Sequence, residues 1–173
     1  GAIHLDEGDA ERALGYYQRA LEILESVGGH ESARATSLTN LGACLVAVRR
    51  REEGIRCLQQ ALARAREHGF RRVAALALSR LAEAHLEKGD HERVSAFLAE
   101  SDALASRADE TYNDILFLNT YYRWEMARAD DSPTREKISF GRLRHLRALL
   151  ERRFPEVEQF DRHIEKIGRS HAH

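Results

Sequence analysis

One pattern recurs three times along this chain, and it limits the fold more than any other feature. Gly1-Ala-Ile-His-Leu-Asp-Glu-Gly-Asp9, Leu41-Gly-Ala-Cys-Leu-Val-Ala-Val-Arg-Arg50 and Leu81-Ala-Glu-Ala-His-Leu-Glu-Lys-Gly-Asp90 line up. A second stretch follows each, with small and large residues in the same slots: Ala13, Tyr17 and Ala20, then Gly54, Leu58 and Ala61, then Val94, Leu98 and Ser101. A fixed period of tens of residues is the mark of a stacked array, in which each unit buries its apolar face on its neighbour. Ala, Leu, Arg and Glu dominate and only 2 prolines interrupt the chain, so the units are helical. The fold predicted is all-α, a solenoid of antiparallel helix pairs.

Each slot has a physical reason. Small residues let two helices approach closely, and large ones fill the space between units. Gly8 and Gly89 suit the left-handed conformation that ends a helix. Asp9 and Asp90 follow them and can each cap the next helix by accepting a bond from an orphan amide. The second unit departs from the pattern, with Arg49 and Arg50 in place of Gly-Asp. Longer connections are predicted at Val27-Gly28-Gly29-His30 and Glu67-His68-Gly69-Phe70.

These residues resemble the tetratricopeptide repeat, whose helix pair carries a Leu-Gly, a large residue, a Gly-Asp turn and an Ala…Phe/Tyr…Ala series. The resemblance covers residues 1–128 and implies a right-handed superhelical solenoid whose first helices line a concave face. Successive units are spaced by 41 and then 40 residues, against ~34 in the standard repeat. That long-period variety, with Ala61-Leu-Ala-Arg-Ala-Arg-Glu-His-Gly69 ahead of the next unit, is similar to scaffold proteins and bacterial regulators. It implies a protein- or peptide-binding module, with the sensory or effector-binding part of a transcriptional or signalling regulator as the alternative. Gly1 falls partway along the first helix of its unit, so further repeats or another domain are expected ahead of it.

The final third reads as more helices. Thr111 to Arg128 carries Tyr112, Ile115, Phe117, Leu118, Tyr121, Tyr122 and Trp124 and fits the first helix of a fourth unit. Asp130-Asp131-Ser132-Pro133 breaks it, and proline suits the first turn of the next helix. That helix presents Leu143, Leu146, Leu150 and Phe154, and Pro155 opens a last one with Val157, Phe160, Ile164 and Ile167. Residues 129–173 are expected to cap the solenoid; the last four apolar positions also have the spacing of a homodimer seam.

No catalytic constellation emerges: there is no phosphate-binding glycine loop, nucleophile elbow or HExxH motif, so no enzyme activity, cofactor or metal is predicted. His85 and His4 occupy a large-residue slot and are expected to pack rather than to ligate; His171 and His173 end the chain. Cys44 and Cys57 lack a CxxC spacing and point to a reducing, cytoplasmic setting. No apolar run approaches the ~20 residues of a membrane span, and neither a membrane nor a nucleic-acid partner is predicted. Net charge is −1, although from Pro133 onward the lysines and arginines outnumber the acids by about four.

Carried over by register, the resemblance places Thr36, Thr39, Asn40, Ala43 and Ala47 of the second unit on the concave face. Ser79, Arg80, Glu83 and Glu87 follow from the third unit, and Asn119, Thr120, Arg123 and Ala127 from the fourth. Thr36, Thr39, Asn40, Ser79, Arg80, Glu83, Asn119 and Arg123 are the partner-binding residues this implies. An asparagine such as Asn40 can bond a peptide unit whatever its side chain, and the forked guanidiniums of Arg80 and Arg123 suit carboxylates. The Lys/Asn pattern of chaperone-tail binders is not present in the sequence.

Overall fold

The computed structural model describes residues 7–151 and 154–170. They form α1 (Glu7–Val27), α2 (Glu31–Ala47), α3 (Arg51–Glu67), α4 (Arg71–Leu86) and α5 (His91–Ala105). A short antiparallel hairpin, β1 (Ser106–Arg107) and β2 (Glu110–Thr111), leads into α6 (Asn113–Ala129), α7 (Pro133–Ala148) and α8 (Pro155–Ser170). Consecutive helices pack against one another from α1 to α7, and α2, α4 and α6 also touch side by side. That is an all-α solenoid of helix pairs, with the first helices of the pairs sharing one face.

The small slots act as the sequence implies. A Cβ built on Gly54 would lie 2.7 Å from the Gly42 carbonyl oxygen and 2.8 Å from Val46 Cγ2. The two backbones can therefore approach only because both positions lack a side chain. Leu58, Ala61 and Ala65 of α3 interlock with Ala74, Ala77 and Leu78 of α4 in one apolar cluster. The counterpart of Ala61, Ser101, is fully buried and polar; its Oγ donates to the Ala75 carbonyl at 2.8 Å. Asn119 Nδ2 in turn donates to Ser101 Oγ at 2.8 Å, so one chain of hydrogen bonds joins α4, α5 and α6.

Turn chemistry is partly as predicted. Gly89 has φ 72°, and the Asp90 side chain accepts from the Arg93 amide to cap α5. In the second unit Arg49 takes φ 66° at the equivalent place, so the left-handed turn persists without glycine. The first unit is a correction: Gly8 and Asp9 lie inside α1, which runs from Glu7 without a turn. The helix expected to reach Phe154 ends at Ala148, and Leu150 and Phe154 pack from the connector instead. Arg71 steadies the hairpin, donating to the carbonyls of Leu104 and Glu110 at 3.0 and 3.1 Å and lying over the Tyr112 ring. Gly1 to Asp6, including His4, and His171 and His173 lie outside the described residues.

The largest core spans α4 to α8. Trp124, Phe117, Leu143, Val157 and Phe160 are among its fully or nearly fully buried members. Phe160 meets Phe117, Trp124 and Phe140 with ring centroids 5.8, 6.0 and 5.4 Å apart, spacings at which aromatic pairs attract. The apolar stripe of the last helix therefore packs against aromatic side chains of α6 and α7. Of the four positions of the expected seam, Val157 and Phe160 are 0% exposed, and Ile164 and Ile167 reach solvent at 36% and 38%. Among the described residues no helix is long and apolar enough to cross a membrane.

Candidate binding face

The face shared by α2, α4 and α6 divides into an open part and a filled part. On α2, Thr36 is exposed and Asn40, Ala43 and Ala47 are half-buried along one side of the helix. Thr36 Oγ1 donates to the Ser32 carbonyl at 2.8 Å. No hydrogen bond or ion pair engages the Asn40 amide among the described residues. Small side chains flanking an unengaged amide leave room for a peptide backbone to approach and bond it.

Three of the eight residues implied by register turn inward. Thr39 is 1% exposed and donates to the Ala35 carbonyl at 2.9 Å. Ser79 and Asn119 are both fully buried, Asn119 bonding Ser101 and Asp102. The reason is geometric. A first helix inside the stack touches its own second helix and both neighbouring first helices, so only a narrow strip faces out.

Arg80 and Arg123 do hold carboxylates, but those of their own chain. Arg123 Nη1 lies 2.8 Å from Asp102 Oδ2 on α5. Arg80 Nη1 donates to Glu156 Oε1 at 2.5 Å, to Tyr122 Oη at 2.7 Å and to Glu83 Oε2 at 2.9 Å. The Tyr122 hydroxyl passes the chain on, donating to the same Glu156 oxygen at 2.9 Å. Glu156 sits in the first turn of α8 and is 0% exposed, where the helix N-terminus also favours its charge. The start of α8 thus lies over α4 and α6 and fills their end of the face.

The electrostatics of this cluster are unbalanced. Burial, together with the charge of Glu156, raises the Glu83 carboxyl above its ordinary range, although the Arg80 guanidinium pulls the other way. Burial also lifts the Tyr122 phenol well above its usual value. Arg80 stays firmly charged: its burial is outweighed by Glu156, Tyr122 and Glu83. Among the described residues Glu156 Oε2 has no hydrogen-bond partner. One guanidinium serves two carboxylates, and neither Tyr122 nor Glu156 was singled out by register. The sequence signal for Glu156 is slight, an acid directly after the helix-opening Pro155.

Among the described residues the histidines do not gather. His85 is 5% exposed, tilted against Phe97 at 5.5 Å, with burial holding its pKa below the ordinary value. Cys44 is buried and Cys57 half-buried, both unbonded thiols whose pKa burial raises. Among the described residues no three His, Cys, Asp or Glu side chains converge as a metal site would require.

Comparison with known proteins agrees with the fold. No curated protein and no solved structure matches the chain. A tetratricopeptide repeat model matches residues 1–67, the stretch holding α1, α2 and α3, and repeats of this kind generally mediate protein–protein interaction. Over those residues the chain is similar to the tetratricopeptide repeat, which supports the resemblance read from the sequence.

Proposed function

We propose that this chain is a non-catalytic binding module that grips a segment of a partner protein on the α2 side of its first-helix face. The observation carrying the reading is Asn40: a half-buried amide, unengaged among the described residues, beside Ala43 and Ala47. Backbone-directed amide bonding accepts many side chains, and the small neighbours let the segment lie close. Thr36 extends the strip by one turn. The α4–α6 end contributes less directly, because Glu156 already occupies Arg80.

The test is capture of partners by the immobilised chain, comparing the parent with Ala43→Tyr and Asn40→Ala. Ala43 is half-buried on the strip, so tyrosine there blocks it. A partner held by the parent and lost from Ala43→Tyr, with circular dichroism unchanged, supports the reading. A partner held equally by both variants moves the binding surface elsewhere.

A further inference from the structure

The way α8 is held suggests that it can leave. Its contacts with the rest of the chain include three from its middle turns: Tyr121 Oη donates to Gln159 at 2.6 Å, Arg147 Nε bonds Asp161 at 2.9 Å, and the His163 ring lies 4.8 Å from Trp124. From Ile164 to Ile167 the side chains are exposed. Its polar anchor is the unbalanced cluster, where Glu156 shares Arg80 with Glu83 and, among the described residues, leaves one buried oxygen without a partner. A buried carboxylate that is incompletely paired weakens the contact it makes.

What α8 would leave behind is a shaped seat. Arg80, still paired with Glu83, and the neutral Tyr122 hydroxyl would present two donors suited to a carboxylate. One helical turn away, Phe117, Trp124 and Phe140 form the walls around Phe160. Glu156 and Phe160 are four residues apart and so share one helix face. The α8 side chains therefore describe the ligand that the seat accepts.

We propose that α8 is a displaceable helix and that its seat on α4 and α6 is a second binding site, for an amphipathic partner helix presenting a carboxylate one turn ahead of an aromatic side chain. It deepens the reading of this face as a protein-binding surface, but it does not depend on Asn40. A partner helix of this pattern replaces α8, joins the groove end to end and couples capture of the partner to release of the chain's own cap.

The probe is a fluorescently labelled peptide of residues 155–170, titrated against the full chain and against its Phe160→Ala and Val157→Ala variants. Trp124 is the only tryptophan and packs on Phe160 and His163, so its emission reports whether α8 is seated. In both variants the emission shifts to the red, far-ultraviolet circular dichroism stays helical, and the peptide binds at least ten-fold more tightly than to the parent. An E156K form of the peptide, which sets a cation against Arg80, binds at least ten-fold more weakly than the unmodified peptide.

Three results would overturn the proposal. One is a variant whose Trp124 emission shows α8 gone but whose affinity for the peptide matches the parent's. Another is unchanged emission in both variants, meaning that α8 stays seated. The third is a variant that sediments as a swapped dimer and no longer takes the peptide, which assigns the seat to a second copy. Loss of partner capture in Ala43→Tyr bears on the α2 strip alone, so the two readings fail separately.

Discussion

Gly42 and Gly54 meet backbone to backbone across α2 and α3, each standing where a Cβ of the other would press on a carbonyl oxygen at 3.0 Å or less. That contact sets how closely the second unit's helices pair, and it separates two kinds of glycine. Gly15 in α1 is exposed and has open space around it, with nothing within 4 Å of a built Cβ.

Gly54→Ala should therefore destabilise the chain by about 1–3 kcal/mol, because the methyl must displace the Gly42 carbonyl and Val46. Gly15→Ala should stabilise it by up to about 1 kcal/mol through helix propensity alone. Urea denaturation of the two variants checks the contrast, and equal effects would remove the close approach from the account.

The left-handed turns allow a second contrast. Gly89 has φ 72° with open space around it, so Gly89→Ala costs about 1 kcal/mol through backbone strain and not through a clash. Arg49 already carries such strain at φ 66°, and Arg49→Gly relieves it. The exposed pair between Arg49 and Glu87 offsets little, since Arg51 also reaches Glu87. Thermal midpoints should fall for the first variant and hold or rise for the second.

Glu83 makes stability depend on pH with a definite sign. Its folded-state pKa is raised above the ordinary 4.5, so the native state binds the proton more readily than the unfolded chain. Arg80, Glu156 and Tyr122 are the charged and titratable groups facing it from α4, α8 and α6. Its contribution is present in full below the unfolded value and is lost as pH rises through the higher folded value. The parent should lose more stability than Glu83→Gln between pH 4.5 and pH 7, as measured by denaturation at each pH. A parallel pair of profiles would mean that the burial of Glu83 does not matter.

Much of the fold was legible because repeats state their packing twice over. Leu58, Ala61, Leu98 and Ser101 are all fully buried, as their shared slots require. Gly8 misled because a Gly-Asp pair inside a helix looks the same in sequence as one that ends it. The hairpin at Ser106–Thr111 escaped notice because strands of two exposed residues carry no alternation to read. For the face itself, the affinity of Arg80 and Arg123 for carboxylates could be read from their side chains, and both pair with acids of their own chain. Sequence alone could not show that Asp102 and Glu156 are those acids, since the pairings depend on the stacking of α5 and α8. Thr39, Ser79 and Asn119 were misplaced for the same reason: polarity alone does not tell an outward strip from a hydrogen-bonded interior.

Photocrosslinking tests the central claim, that a partner lies along the α2 strip, most directly. A benzophenone amino acid replaces the exposed Thr36 at the end of that strip or the exposed Ala99 on α5, and the chain is irradiated with its captured partner. The account predicts a covalent adduct from position 36 and none from position 99. An adduct from position 99 alone would place the partner on the second-helix side and contradict it.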